Sequence, residues 1–344
     1  MIDTSISQIT RDSAALPEAA PSRPPSSWRG RRHVLDLDDF APAEIEAVLA
    51  NTAAMKEILR RPVARVPALR GKTVVNMFYE ASTRTRVSFE LAAKNLGADV
   101  VSISASQSSV TKGESLIDTI RTLRALGADV VVMRHSEAGA PYLVARSVDA
   151  RVINAGDGWH AHPTQALLDL FTIRERLGRV AGLKVVILGD ILHSRVARSN
   201  AWGLAKLGAR VVLCGPPTLL PPASLPPRAQ LPWSVEVEVD PARALRGADV
   251  VMVLRLQRER QSSGLLPSLR EYTRTYGLNE ERLALAKPGA LILHPGPMNE
   301  GVEIEPEVAT SAQSAIEQQV TNGVAVRMAL LYLLFGGNQG QEAA

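Results

Sequence analysis

The chain of 344 residues is long enough for two domains of ordinary size and a substantial core. Its 46% hydrophobic and 22% charged residues are typical of a soluble globular protein. A net charge of +4 with only 4% aromatic residues gives little support for nucleic-acid binding, and it suits an enzyme that takes anionic small molecules. The single cysteine, Cys214, has no partner for a disulfide or metal cluster, and its apolar neighbours predict a buried strand residue.

Residues 1–30 are rich in Ser, Pro, Arg and Ala without periodicity, which predicts a disordered N-terminal extension. The extension has no apolar segment of signal-peptide length, and no run in the chain reaches the roughly 20 apolar residues of a membrane helix. We therefore expect a cytoplasmic protein that does not contact membranes.

Beyond residue 30, short β-branched runs alternate with helical patterns, which predicts parallel sheets in an α/β fold. The predicted strands form two groups of four: 73–78, 99–103, 130–133 and 151–154, then 184–189, 210–214, 250–254 and 290–293. The fold class is therefore two doubly wound domains, each with a mainly parallel sheet, joined by helices. We place the first domain at 31–165, completed by a C-terminal helix at 322–336, and the second at 166–321.

Two helices are important for this arrangement. Pro163 at a first helical position and Gly178 after Leu177 predict a helix that joins the domains. A second helical stretch, Gly323 to Leu334, closes the chain, and its Arg327 favours packing within the protein over a membrane. Residues 216–232 contain seven prolines and predict a surface excursion.

The segment Ser82-Thr83-Arg84-Thr85-Arg86 follows the first predicted strand and begins a helix. Unpaired N–H groups and the positive end of the macrodipole stabilise an anion there. Ser82 is a suitable N-cap, Thr83 and Thr85 add hydroxyl donors, and Arg84 or Arg86 can hold two phosphate oxygens. Val87, Leu91 and Ala92 are expected on one buried face. The alternative is an ordinary capped helix with solvent-facing arginines; we favour a phosphate site.

Ligands of open parallel sheets bind beyond the carboxyl ends of the strands. Polar and cationic groups recur at these ends, in the segments Ser82 to Arg86, Arg134-His135, Asn154 to Gln165, Asp190 to Arg195, Arg255-Leu256-Gln257 and His294-Pro295-Gly296-Pro297. Scattered surface charge would not produce this regularity.

Single residues also allow structural interpretations. Arg134 could mark where a strand reaches water, His162 could only cap a helix, and Lys112 could be an exposed side chain on a mobile loop. Taken together, His162 and Gln165 offer donors to a carbonyl oxygen and an amide. Lys112, Arg195 and Arg255 suit a substrate that carries two carboxylates.

Several chemistries lack their motifs. The sequence has no P-loop, no G-x-G-x-x-G, no nucleophile elbow and no His/Cys/Asp cluster with zinc spacing. We therefore expect a reaction that proceeds by positioning and electrostatics, with no cofactor, metal or covalent intermediate.

The chain resembles the aspartate/ornithine carbamoyltransferase family, and its aspartate-using members most closely. The matching segments occur in the family's order and span residues about 33 to 336: Phe78 to Glu90, Lys112 to Ser115, Met133 to His135, Asn154 to Gly158, His162 to Gln165, Gly189-Asp190 to Arg195, Arg255 to Arg260, and His294 to Pro297. The resemblance implies that the first domain binds carbamoyl phosphate and the second binds aspartate.

The resemblance also implies roles for single residues. Those expected to bind carbamoyl phosphate are Ser82, Thr83, Arg84, Thr85, Arg134, His162, Gln165, Gly296 and Pro297. Those expected to bind aspartate are Lys112, Arg195, Arg255 and Gln257. Catalysis would involve Arg84, Thr85, Arg134 and His162. In the family, the lysine loop enters from a neighbouring subunit of a trimer, so a homotrimer with shared active sites is expected, with regulatory or dihydroorotase partner chains left open.

The alternative functions are an ornithine-using enzyme and a catalytically silent member of the family. Ornithine-using members carry His-Cys-Leu-Pro where this chain has His294-Pro295-Gly296-Pro297, and a cationic substrate side chain would be repelled by Lys112. A catalytically silent member that acts as a scaffold or ligand sensor is disfavoured because all the family's site positions are filled. The proline-rich 216–232 stretch and the N-terminal extension depart from the family and bear on partner contacts.

Overall fold

The structure is a computed structural model that describes residues 28, 30–104, 114–221, 232, 234–257 and 264–336. Lys112, most of the N-terminal extension and most of the proline-rich stretch lie outside the described residues. Trp28, assigned above to the extension, is 1% exposed, and its indole N–H donates to the Glu44 carbonyl at 3.0 Å. The Trp28 ring meets Phe40 edge-on, so the packed part of the chain begins by residue 28.

Two parallel five-stranded sheets organise the described residues, which confirms the predicted α/β fold class. The first sheet has the order β1-β5-β4-β2-β3, with β1 (His33–Val34), β2 (Thr73–Phe78), β3 (Asp99–Ser104), β4 (Val130–His135) and β5 (Arg151–Asp157). The second has the order β10-β9-β6-β7-β8, with β6 (Lys184–Leu188), β7 (Arg210–Cys214), β8 (Glu236–Glu238), β9 (Val250–Val253) and β10 (Leu291–Leu293).

All eight predicted strands are present, and the sequence missed two short edge strands, β1 and β8. β1 has only two residues, and β8 reads Glu-Val-Glu, so neither gives a hydrophobic pattern that periodicity can detect. Cys214 is fully buried in β7 with its thiol free, as predicted. The domain boundary at 165/166 stays a prediction.

Helices flank both sheets. They are α1 (Pro42–Leu59), α2 (Thr83–Asn95), α3 (Leu116–Ala125), α4 (Ala140–Ser147), α5 (Pro163–Leu177), α6 (Arg195–Lys206), α7 (Pro241–Leu245), α8 (Leu269–Tyr276), α9 (Glu280–Leu283), α10 (Pro306–Ala309) and α11 (Ile316–Gly336). α5 begins at Pro163 and ends before Gly178, as predicted, and packs between α6 and α11. Its first eleven residues are all buried, so α5 lies in the centre of the molecule between the two sheets.

α11 begins at Ile316, earlier than the sequence indicated. By length and composition it could cross a membrane, but 72% of its most apolar stretch is buried inside the protein. Arg327 lies within this helix at 4% exposure, and α11 packs against α1, α2 and α5. α11 is therefore a buried helix of the protein core.

The predicted face of α2 is only partly correct. Ala92 is buried, but Val87 and Leu91 are 40% and 45% exposed. The helix instead turns Phe89, Ala92 and Ala93 towards α11 and the first sheet, so the apolar positions 87 and 91 face outwards. Ser82 occupies the predicted N-cap position, although its side chain makes no capping hydrogen bond.

Candidate active site

A cavity of about 540 Å³ opens at the carboxyl ends of the strands of both sheets. It brings together all the predicted site residues except Lys112, which lies outside the described residues. Those that line it are Ser82, Thr83, Arg84, Thr85, Arg134, His162, Gln165, Arg195, Arg255, Gln257, Gly296 and Pro297. Segments more than 200 residues apart in the sequence therefore meet at one cavity, as their positions at strand ends predicted.

The start of α2 forms one wall of the cavity. Thr83 begins the helix directly after Ser82, so the first N–H groups of α2 lack helical partners at the cavity wall. Arg84 lines the cavity, whereas the Arg86 side chain is 43% exposed and lies 3.9 Å from Glu90 along the helix. Of the two arginines that the sequence left open, Arg84 is the one placed to hold an anion.

Arg84 is packed against the backbone of the opposite wall. Gly296 has φ +60°, and a Cβ atom added there would lie 2.4 Å from Arg84 Nη1. Burial, assisted by the nearby positive charge of Arg255, lowers the pKa of Arg84. Because these two guanidinium groups repel each other across the cavity, an anion placed between them would be stabilised by both.

Glu80 connects two of the predicted arginines. Its Oε1 accepts hydrogen bonds from Arg134 Nη2 at 2.6 Å and from Arg195 Nη2 at 2.7 Å, and its Oε2 accepts from Arg195 Nη1 at 3.0 Å. Arg134 also donates to the Ala155 carbonyl at 3.3 Å, and Arg195 to the Gly158 carbonyl at 3.0 Å. Both guanidinium groups are thus held nearly buried at the cavity wall, rather than at a strand end open to water.

His162 is the N-cap residue of α5 and Gln165 lies on its first turn, and both are buried at the same cavity, as predicted. The His162 backbone N–H donates to Ser199 Oγ at 2.9 Å, and Ser199 donates in turn to Asp36 at 3.1 Å. Gln165 Nε2 donates to Asp169 Oδ1 at 3.0 Å, which leaves Gln165 Oε1 as the end available to the cavity.

The second sheet supplies the opposite side of the cavity. Arg195 begins α6, and Arg255 and Gln257 follow β9. The Gln257 backbone N–H donates to the fully buried Asp190 at 3.3 Å, which ties the chain after β9 to the loop after β6. Arg195 and Arg255 therefore place two positive charges on this side of the cavity.

Several residues of the cavity wall were not predicted from the sequence, chiefly Glu80, Gln319 and Arg327. Glu80 had a usable signal, because it lies two residues before Ser82 at the same strand end and is a lone carboxylate among cations. Gln319 and Arg327 had none, because they follow no strand and α11 is placed at the cavity by its packing on α1, α2 and α5. Burial lowers the pKa of Arg327 to about 10, against the opposing effect of Asp169.

Comparison with known proteins places the chain in a family. Family models described as "Aspartate/ornithine carbamoyltransferase, carbamoyl-P binding domain" and "Aspartate/ornithine carbamoyltransferase, Asp/Orn binding domain" match residues 32–175 and 181–334. The chain belongs to the aspartate/ornithine carbamoyltransferase family, as its motifs indicated.

Within this family, similar relatives carry the name of the aspartate-using enzyme. The chain is 64% identical over 306 residues to the aspartate carbamoyltransferase catalytic subunit of Roseiflexus sp. (strain RS-1), covering 89% of this chain and 96% of that protein. It is 62% identical over 307 residues to the protein of the same name from Moorella thermoacetica, covering 89% and 98%.

Solved structures share the fold. Aspartate transcarbamoylase from Trypanosoma cruzi in complex with carbamoyl phosphate and aspartate matches with a TM-score of 0.80 and 30% identity, over 90% of this chain and 99% of that one. Ornithine carbamoyltransferase from Pyrococcus furiosus matches with a TM-score of 0.80 and 30% identity, over 89% and 97%. Because an aspartate-using and an ornithine-using enzyme match with the same TM-score, the fold alone does not show which amino acid is the substrate.

Proposed function

We propose that this chain transfers the carbamoyl group of carbamoyl phosphate to the amine of L-aspartate, giving N-carbamoyl-L-aspartate and phosphate, the committed step of de novo pyrimidine biosynthesis. The single observation that carries the proposal is the shared cavity. It places the start of α2 and Arg84, which suit a phosphate, opposite Arg195 and Arg255, which suit carboxylates. The relatives at 62% and 64% identity bear the corresponding name.

In this arrangement the phosphate lies at the N-terminus of α2. The free N–H groups of the first turn and the hydroxyls of Ser82, Thr83 and Thr85 donate to it, and Arg84 supplies a planar pair of donors. The carbamoyl group then points towards Arg134 and His162, and its NH₂ group can donate to Gln165 Oε1. The backbone carbonyls of Gly296 and Pro297 accept hydrogen bonds from the same NH₂ group.

Catalysis in this proposal is positioning combined with electrostatics. The aspartate amine attacks the carbamoyl carbon, and Arg134, Thr85 and His162 stabilise the negative oxygen that develops, by about 3–4 kcal/mol for each well-placed donor. The C–O bond to phosphate then breaks, and Arg84 and the start of α2 meet the charge of the leaving group. Phosphate takes the proton from the amine. Holding two anions in contact supplies the proximity contribution.

Aspartate is favoured over ornithine by charge. Among the residues that the structure describes, the cavity is lined by five arginines, Arg195 and Arg255 among them, and by one carboxylate, Glu80, so a second cationic group on the substrate would be repelled. Lys112 adds a further positive charge in the proposed assembly. The segment His294-Pro295-Gly296-Pro297 also differs from the His-Cys-Leu-Pro of ornithine-using members.

The direct experiment is an assay of the purified protein with carbamoyl phosphate and each amino acid in turn. Carbamoyl aspartate should form, and citrulline should not. Product from ornithine alone would move the chain to the other branch of the family. If neither amino acid is carbamoylated although carbamoyl phosphate binds, the chain would be a silent member that senses or scaffolds.

We further propose a cytoplasmic homotrimer whose active sites are shared between neighbouring chains, with Lys112 entering the cavity of the next subunit. The surface of α2 and β3 supports association, since the apolar side chains Val87, Leu91 and Val101 are 40–46% exposed there. Sedimentation equilibrium of the purified chain tests the trimer. Mass measurement of the protein isolated from its own cells tests whether regulatory or dihydroorotase chains join it.

A further inference from the structure

Asp169 is a fully buried carboxylate on α5 that accepts hydrogen bonds from three side-chain amides. Its Oδ1 accepts from Gln165 Nε2 at 3.0 Å and from Gln319 Nε2 at 2.7 Å. Its Oδ2 accepts from Asn200 Nδ2 at 2.8 Å. An ionised carboxylate accepts only, so each amide must turn its NH₂ end towards Asp169 and its oxygen away.

Two of these amides line the proposed active site, and they reach different parts of it. Gln165 is on the first turn of α5, beside His162. Gln319 is on α11, and its Oε1 accepts the backbone N–H of His294 at 2.9 Å. His294 Nδ1 in turn accepts the N–H of Gly296 at 2.8 Å. One carboxylate is thus linked to Gln165 and, through Gln319, to the loop 294–297.

Burial raises the pKa of Asp169 to about 7, and the three amide donors together with the nearby positive charge of Arg327 oppose that rise and favour the carboxylate. Arg327 is 4% exposed on α11, and its favourable interaction with Asp169 partly offsets the burial of both groups. Its guanidinium carbon lies 5.0 Å from the centre of the Phe89 ring, on α2. The charges therefore lie among the three helices α2, α5 and α11, each of which lines part of the cavity.

We propose that Asp169 is a positioning residue for the proposed reaction: it fixes Gln165 with Oε1 towards the carbamoyl NH₂ group and, through Gln319 and His294, fixes the backbone of the loop 294–297. A neutral asparagine at this position has the same shape, but it has only one oxygen to accept from three amides. At least one amide must then rotate or lose its partner, because two NH₂ groups cannot face each other. The inference rests on the function proposed above.

The decisive variant is Asp169→Asn, assayed with carbamoyl phosphate and aspartate. We expect kcat/KM to fall about tenfold or more, since a hydrogen bond to a charged group is lost at the site wall. The matched control is Thr172→Val, one turn further along α5. Thr172 is also fully buried, and it donates to the Leu168 carbonyl and accepts from Asn322. Its replacement should lower the unfolding temperature and leave kcat and KM unchanged.

A double-mutant cycle separates positioning from general loss of stability. In a Gln165→Ala background, Asp169→Asn should reduce kcat/KM by a smaller factor than in the wild type. The Gln165 side chain that Asp169 positions is already absent there, and only the link through Gln319 to the loop 294–297 remains to be lost. Equal factors in both backgrounds, or wild-type kinetics for Asp169→Asn, would overturn the inference.

If Asp169→Asn does not fold, Gln319→Met decides the question with Asp169 intact. Methionine keeps the length of the side chain but removes both the donor to Asp169 and the acceptor of the His294 N–H. We expect a similar loss of kcat/KM, and unchanged kinetics would refute the link to loop 294–297. A wild-type protein that makes no carbamoyl aspartate refutes the proposed function together with this inference, whereas an active wild type with unaffected variants refutes the inference alone.

Discussion

Glu80 and Arg195 form a two-point ion pair, with Oε1 to Nη2 at 2.7 Å and Oε2 to Nη1 at 3.0 Å. Glu80 follows β2 of the first sheet, and Arg195 begins α6 beside the second sheet. The pair therefore holds the two sides of the cavity together. Arg195 is 4% exposed and the Glu80 side chain is 26% exposed, so the bond is partly shielded from water and is worth more than a surface ion pair.

Glu80→Gln should impair catalysis without unfolding the protein. The substitution keeps the shape but removes the charge that orients Arg134 and Arg195, and a lost charge-assisted hydrogen bond costs about 1.5–3 kcal/mol. We expect kcat/KM for aspartate to fall about 10- to 100-fold. Steady-state kinetics at saturating carbamoyl phosphate measures this effect.

Glu90→Gln is the matched control for that experiment. Glu90 is also a glutamate near a cation, but it lies on the outer part of α2, 3.9 Å from Arg86, and accepts from Ser102. Its replacement should leave the kinetics unchanged. Equal losses in the two variants would show that Glu80 has no special role.

Arg84→Ala should abolish most activity while the fold persists. Arg84 lines the cavity at the start of α2, so its loss removes the principal cation for the leaving phosphate. By analogy with the removal of one preorganised donor, we expect kcat to fall about 100- to 1,000-fold. Arg86→Ala, two residues further and 43% exposed, is the control and should retain nearly full activity. Turnover near the wild-type level in Arg84→Ala would contradict the phosphate assignment.

Gly296→Ala tests the close approach between the two walls of the cavity. A methyl group at this position would overlap the Arg84 guanidinium, at 2.4 Å from Nη1 and 2.8 Å from Cζ, and φ +60° adds backbone strain. We expect the KM for carbamoyl phosphate to rise at least about tenfold, because Arg84 must move. Gly301→Ala shares the positive φ, at +76°, but has open space around its Cβ. This control should lose stability only, and identical kinetics in the two variants would argue against the contact.

The sequence was informative wherever chemistry coincides with the end of a strand. Arg84, Arg134, His162 and Arg255 all follow predicted strands, and all line the cavity. The residues that helices such as α5 and α11 contribute to the site could not be predicted from the sequence. Asp169 is one of several polar residues in the sequence of α5, and only the packing of α5 on α6 and α11 brings three amides to it.

The direction in which the side chains of α2 point could not be predicted from the sequence either. The spacing of Val87 and Leu91 fitted a buried face of α2, yet α11 packs against a different side of that helix. Periodicity identifies an apolar stripe, but it cannot say which partner covers it. The choice between Arg84 and Arg86 was open for the same reason, and it depended on how α2 is rotated about its axis.

Mixing two inactive variants tests the proposed sharing of active sites. Chains with Arg84→Ala and chains with Lys112→Ala should each be nearly inactive. After joint dissociation and reassembly, random assortment around a cyclic trimer gives about one quarter of the sites an intact Arg84 and an intact Lys112 from different chains. We therefore expect about a quarter of wild-type activity to return. The double variant treated in the same way is the control, and no recovery in the mixture would contradict the shared site.

His160 should make the stability of the protein depend on pH. Its Nδ1 lies 3.1 Å from Asp157 Oδ2, and its Nε2 lies 3.8 Å from Asp36 Oδ2. The hydrogen bond to Asp157 raises the pKa of His160, which outweighs the opposing effect of burial. Since the protonated form is favoured in the folded state, its stabilisation is complete below the ordinary histidine value of about 6.5 and is lost as the pH rises through the higher folded value.

His160→Gln removes this titration and keeps a polar side chain. The wild type should therefore exceed the variant in unfolding temperature by more at about pH 6 than at about pH 8. The loss of the edge-on contact between His160 and Tyr142 lowers the stability of the variant equally at both values, so only the change in the difference reports the charge. Thermal unfolding followed by circular dichroism in matched buffers gives this quantity. A difference that stays constant, or grows with pH, would show that folding does not raise the pKa of His160.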